Sequence, residues 1–103
     1  MSDSFKPASK APVDTVIYTF YEDPGHGWLE VRTAELVALG IAGDITNYSY
    51  LKDDMAYLEE DCDLSTFLRA KEARNQVVFY RDVHQENTPK RYFDSYQKFK
   101  VAA

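Results

Sequence analysis

Six carboxylates fall within eleven residues of this chain, Asp53, Asp54, Glu59, Glu60, Asp61 and Asp63, with no lysine or arginine among them. Oxygen-rich clusters bind hard cations, but this spacing does not match a twelve-residue calcium loop and lacks its glycine. Glu59 and Asp61 would share one side of a continuing strand, as paired acid–base carboxylates do, though adjacent acids are too common to mark such a site. The run also has ordinary structural uses: Asp53 and Asp54 suit a turn, and Asp61 and Asp63 suit the start of a helix. Its remaining use is docking. The run carries −6 and the rest of the chain sums to +1, so one segment holds the charge that a basic partner would meet.

Two other features bear on chemistry. Cys62 lies between Asp61 and Asp63, and negative charge on both sides repels the anion a nucleophilic thiol must become. A small buried hydrophobe at a helix start is the simpler role. His26 lies in Pro24-Gly25-His26-Gly27-Trp28, where the glycines permit either a tight turn or the close approach of another group. Trp28 is suited to a core or to the centre of an interface. The candidate protein-binding residues are therefore Asp53, Asp54, Glu59 and Glu60, with His26 and Trp28 beside them. No catalytic set, cofactor or metal is expected, since none of the familiar phosphate-loop, dinucleotide, zinc-protease or nucleophile-elbow motifs occurs.

The tail mixes cations with rings: Lys90, Arg91, Tyr92, Phe93, Tyr96, Lys98, Phe99 and Lys100. That combination can clamp single-stranded nucleic acid. The helical spacing of Tyr92, Phe93, Tyr96 and Phe99 points instead to rings packed on a core. A net charge of −5 also argues against direct nucleic-acid binding.

These side chains must be positioned by a small set of elements. The chain has 103 residues, the size of one domain. Residues 1–12 are polar and carry two prolines, and they read as a flexible N-terminal arm whose removal should leave stability nearly unchanged. Residues 13–103 read as a single α+β domain. Thr15 to Tyr21 is β-branched and aromatic, a strand. A Pro-Gly turn follows, then a short strand over 28–31. Thr33 caps a helix over 34–39 that Gly40 ends. Residues 45–51 and 55–59 form a second hairpin. Asp63 is the N-cap of a helix over 64–74, with Leu64, Phe67 and Leu68 on its buried face. Residues 77–80 form a fifth strand, and a C-terminal helix can follow. The order β-β-α-β-β-α-β predicts an antiparallel or mixed sheet of about five strands with helices on one face.

One cysteine forms no internal disulfide, and neither a signal peptide nor a transmembrane run is visible, so a cytoplasmic location is expected, with no membrane partner.

The runs Gly25-His26-Gly27-Trp28-Leu29-Glu30-Val31, Tyr48-Ser49-Tyr50 and Ala56 to Asp63 resemble a small family of uncharacterised proteins encoded by phages and mobile elements. The resemblance spans about residues 15–83 and implies no activity. It implies a context in which small acidic proteins bind a host or phage protein. The expectation is a small acidic protein-binding or regulatory module whose partner has a basic surface. One version is a phage-type inhibitor that sets carboxylates where a defence or nucleic-acid-handling protein expects phosphates. The alternatives are a nucleic-acid-binding accessory protein that uses the C-terminal segment, and a small enzyme or metal-binding protein.

Overall fold

The computed structural model of the chain describes residues 4–85 and 93–101. Its first element lies within the segment expected to be a flexible arm. Phe5–Pro7 form a short strand, β1. Phe5 stacks on Tyr80 with ring centroids 4.1 Å apart and meets Phe20 edge-on at 6.0 Å. The Val78 N–H donates to the Ser4 carbonyl at 2.8 Å. One aromatic ring and backbone pairing with residues 78–80 tie this otherwise polar segment down.

Strands β2 (Ile17–Glu22) and β3 (Gly27–Arg32) form the expected hairpin, with Phe20 opposite Leu29 and Tyr21 opposite Trp28. Helix α1, Thr33–Ala38, stops at Gly40, whose φ is 75°. The N–H groups of Gly40 and Ile41 reach back to Val37 and Leu36 at 3.0 Å each, which satisfies carbonyls the helix leaves open. The third strand is shorter than expected: β4 is Tyr50–Lys52, and the residues before it fold into a 3-10 turn at Ala42–Asp44 and an irregular bend. β5, Met55–Glu59, pairs back on β4 across Asp53, which takes a φ of 55°.

Helix α2 is Asp63–Glu72, and Asn75, at a φ of 59°, ends the turn that follows it. β6 runs over Val78–His84. The C-terminal aromatic helix is replaced by a two-residue strand, β7 (Asp94–Ser95), and a single helical turn, α3 (Lys98–Val101). Lys90, Arg91 and Tyr92 lie outside the described residues, as does the side chain of Phe99.

Among the described residues the sheet has seven strands, in the order β1-β6-β2-β3-β5-β4-β7, rather than about five. β6 lies parallel to both β1 and β2, while the other neighbours are antiparallel. The two strands not anticipated, β1 and β7, have three and two residues, too few to show an alternation. The fold is thus an α+β domain with a mixed sheet and helices packed against it.

The core forms on one face of that sheet. Leu29 and Val31 of β3 and Ala56 and Leu58 of β5 share a buried cluster with Leu36 of α1 and Leu64, Phe67 and Leu68 of α2. At its edge, Lys71 Nζ meets Glu35 Oε2 at 2.7 Å, and the Tyr18 hydroxyl lies 2.9 Å from both Glu35 oxygens. This joins α1, α2 and β2 through one half-buried charge pair. Burial, and then the hydrogen bond to Glu35, hold the Tyr18 phenol well above its usual range. No helix among the described residues is long and apolar enough to cross a membrane.

Candidate functional site

Strand alternation sends every second side chain to the face opposite the helices. On that face the register sets Trp28 of β3 opposite Glu59 of β5, and Tyr57 of β5 opposite Tyr50 of β4. Tyr48 lies in the bend just before β4 and lines the same cleft as Glu59. Glu59 therefore stands on a floor between two aromatic walls, Trp28 on one side and Tyr48 and Tyr50 on the other. A cleft of about 450 Å³ opens here, lined also by His26, Asp61 and Cys62. The Trp28 and Tyr50 rings are 6.3 Å apart and stand at 60°, forming a corner rather than a stack. His26 lies 5.6 Å from the Trp28 ring.

Each wall is fixed by its own local structure. In the β2–β3 loop, Asp23 Oδ1 accepts the N–H groups of Gly25 and His26, each at 2.9 Å, and this turn brings His26 beside Trp28. Gly27 is needed for packing: a Cβ there would lie 2.5 Å from the Phe20 ring and 3.1 Å from Glu60 Oε1. The close approach permitted by this glycine is made by the protein's own core.

The opposite wall is held by Asp63, which corrects its expected role. Asp63 is the first residue of α2, not its cap, and its side chain is 1% exposed. It accepts hydrogen bonds from the Thr46 N–H at 3.0 Å, from the Thr46 hydroxyl at 2.7 Å and from the Ser49 hydroxyl. Ser49 Oγ in turn accepts the Glu59 N–H at 3.0 Å. A buried carboxylate thus ties the bend that carries Tyr48 to the strand that carries Glu59. Tyr96 fastens the same bend from below: its hydroxyl donates to the Ala42 carbonyl at 2.6 Å and its N–H to the Ser49 carbonyl at 2.9 Å. Burial, with the Asp63 charge nearby, raises that phenol to about 12.

Residues 59–62 close the floor as a turn, with the Cys62 N–H donating to the Glu59 carbonyl at 3.2 Å. Glu59 Oε1 accepts the Asp61 N–H at 3.1 Å. Burial, followed by repulsion from Asp61, raises the Glu59 carboxyl above its ordinary range. Cys62 is half-buried rather than a core residue, and its sulfur lies 3.7 Å from the Thr46 hydroxyl.

The structure divides the residues singled out in the sequence. His26, Trp28 and Glu59 meet in the cleft. Glu60 does not line it: its N–H donates to the Gly27 carbonyl at 2.9 Å, and its Oε1 lies on the side of Gly27 where Phe20 packs. Asp53 and Asp54 do not join them. They occupy the β4–β5 turn at the other end of β5, about 17 Å along the strand from Glu59. Asp54 pairs there with Arg32 at 3.5 Å, and its carbonyl accepts the Thr33 N–H at 2.9 Å. The six acids thus fall in three places: one end of the sheet, the other end, and the interior.

Tyr48 and Tyr50, not singled out for binding from the sequence, supply a wall. Their i, i+2 spacing was the available signal, since it puts them on one face. In the tail, the Phe93 ring packs 4.9 Å from Tyr57 with Lys52 Nζ 5.2 Å over it, so this ring is engaged within the fold. Among the described residues, no group of three or more His, Cys, Asp and Glu side chains is arranged to hold a metal ion. No family model, curated protein or solved structure matches the chain.

Proposed function

We propose that the protein is a small protein-binding module that takes a cationic side chain of a basic partner into the cleft between Trp28 and Tyr48. The observation that carries this reading is the make-up of the cleft. Aromatic faces and two carboxylates line it, and none of the described lining residues is a lysine or arginine. Ring faces attract cations by about 0.5–1 kcal/mol when exposed and about 2 kcal/mol when dry. A carboxylate raised above its ordinary range by burial gains from a neighbouring positive charge. The inhibitor version, in which carboxylates stand in for phosphates, draws less support, because the acids do not form one row.

The test uses the chain's single tryptophan, Trp28, as a fluorescent reporter. A lysine-rich peptide should shift its emission saturably, and a glutamate-rich peptide should not. Replacing Glu59→Gln together with Asp61→Asn should weaken binding about tenfold or more. Replacing Asp53→Asn together with Asp54→Asn, at the far end of β5, should change affinity less than threefold. Equal losses from the two double variants would refute the cleft as the docking point.

A further inference from the structure

Resting on the reading of the cleft as a cation site, we infer that the cation it selects is an arginine side chain on the surface of a partner protein, in preference to a lysine. The first ground is the supply of acceptors. Asp61 is exposed at the cleft, and no hydrogen bond or ion pair among the described residues occupies its carboxylate, so both oxygens are available. Glu59 adds Oε2, since its Oε1 accepts the Asp61 N–H at 3.1 Å. The Tyr48 and Tyr50 hydroxyls, also unengaged among the described residues, and the neutral His26 ring complete the set. These acceptors come from separate segments: the β2–β3 loop, the bend with β4, and the turn that leaves β5. An ammonium is a compact charge with three donors, and it meets acceptors gathered round one point. A guanidinium spreads five donors over a plane. One fork fits an unoccupied carboxylate such as that of Asp61, and the remaining donors are free to meet its neighbours.

The second ground is the ring surface. Trp28 supplies little of it, being 5% exposed and edge-on to Tyr50. Tyr48 supplies more. It is 69% exposed, it lines the cleft, and no other ring of the described residues packs on it. A planar guanidinium stacks on such a face while its edge donates to carboxylates, and an ammonium has no flat face to stack. The guanidinium is also the more weakly hydrated of the two ions, so it loses less on approaching the half-buried Glu59. The cleft, about 450 Å³ and open to solvent, leaves room for a long side chain entering from a partner's surface.

The experiment is isothermal titration calorimetry of the full chain with three peptides that differ only at the central residue: arginine, lysine or citrulline. Heat reports binding whether or not the buried Trp28 responds. The arginine peptide should bind roughly tenfold more tightly than the lysine peptide. The citrulline peptide, of nearly the same shape but without the charge, should bind most weakly. Asp61→Asn should reduce the arginine preference to about threefold or less. Tyr48→Ala should weaken the arginine peptide more than the lysine peptide, and Tyr48→Phe should retain the preference. Both positions are exposed, and a thermal melt of each variant verifies the fold. The wild-type comparison stands without any variant. Equal or tighter binding of the lysine peptide would overturn the arginine preference while leaving the cation-binding reading intact. A preference that survives both Asp61→Asn and Tyr48→Ala would overturn its assignment to these groups. Citrulline binding as tight as arginine, or no binding of any peptide, would remove the cation site itself.

Discussion

Gly27, packed against Phe20, and Glu59, in the cleft, each make a prediction of their own. Any Cβ at position 27 meets the Phe20 ring at 2.5 Å, a separation real contacts do not show. Phe20 is buried against Phe5 and Tyr80 and has little room to move. Gly27→Ala should therefore cost about 1–3 kcal/mol, read as a lowered midpoint in chemical denaturation. The glycine on the other side of His26 has no such neighbour. Gly25 finds only Asp23 Oδ1, at 3.9 Å, and its substitution should cost much less. Glu59 makes a prediction about pH. Its folded value lies above the ordinary 4.5, as does that of Glu22, where burial leads and a hydrogen bond with Asp82 adds to it. A carboxyl with a raised folded value binds its proton more tightly in the native state. Its contribution is fully present below pH 4.5 and is lost as pH rises through the folded value. Glu59→Gln should flatten that part of a stability–pH profile. The same substitution should weaken cation binding at neutral pH, so stability and affinity move apart.

Elements differ in how plainly the sequence announces them. The β2–β3 hairpin is legible because β-branched and aromatic residues flank a Pro-Gly turn, and local chemistry alone produces it. α2 is legible from Leu64, Phe67 and Leu68. β1 is not, because its reason lies at the far end of the chain: Phe5 pairs with Val78, and no local pattern records that. Asp63 departs from the expected cap for a related reason. An acid at a helix start usually serves the helix's own N–H groups, but here a bend seventeen residues earlier supplies better donors. The cleft was half legible. His26, Trp28 and Glu59 carry obvious chemistry, whereas Tyr48 becomes a wall only through the bend before β4, which Asp63 holds by its bonds to Thr46 and Ser49. β1 is held by backbone pairing with β6 and by one ring, and Phe5→Ala tests the ring's share. Loss of the stacked contact and the buried area should cost about 2 kcal/mol, well beyond the negligible effect expected of a flexible arm. A thermal melt of the variant measures it.

At the scale of the whole molecule, charge sits at opposite ends of one sheet. The Asp53→Asn/Asp54→Asn and Glu59→Gln/Asp61→Asn variants carry the same net charge, so they separate long-range attraction from contact. At low salt both should slow association with a basic peptide to a similar degree, since steering follows the overall field. Only the second should speed dissociation, because only it removes groups the bound cation touches. Stopped-flow traces at two salt concentrations distinguish the two effects. The sheet's order also has a consequence for the chain as it is made. β6 fills the space between β1 and β2, and both partners precede it by most of the sequence, Phe5 with Val78 and Ile17 with Phe79. The strands β2, β3, β5 and β4 can assemble once Glu59 has been synthesised. Until His84 follows, the outer edge of β2 stays unpaired, with Tyr18 and Phe20 beside it. At about 5–20 residues per second, that interval lasts about one to five seconds on the ribosome. For that time the nascent chain presents a bare, aromatic strand edge to every other chain nearby, which makes this interval, and not the finished molecule, the point at which aggregation competes with folding.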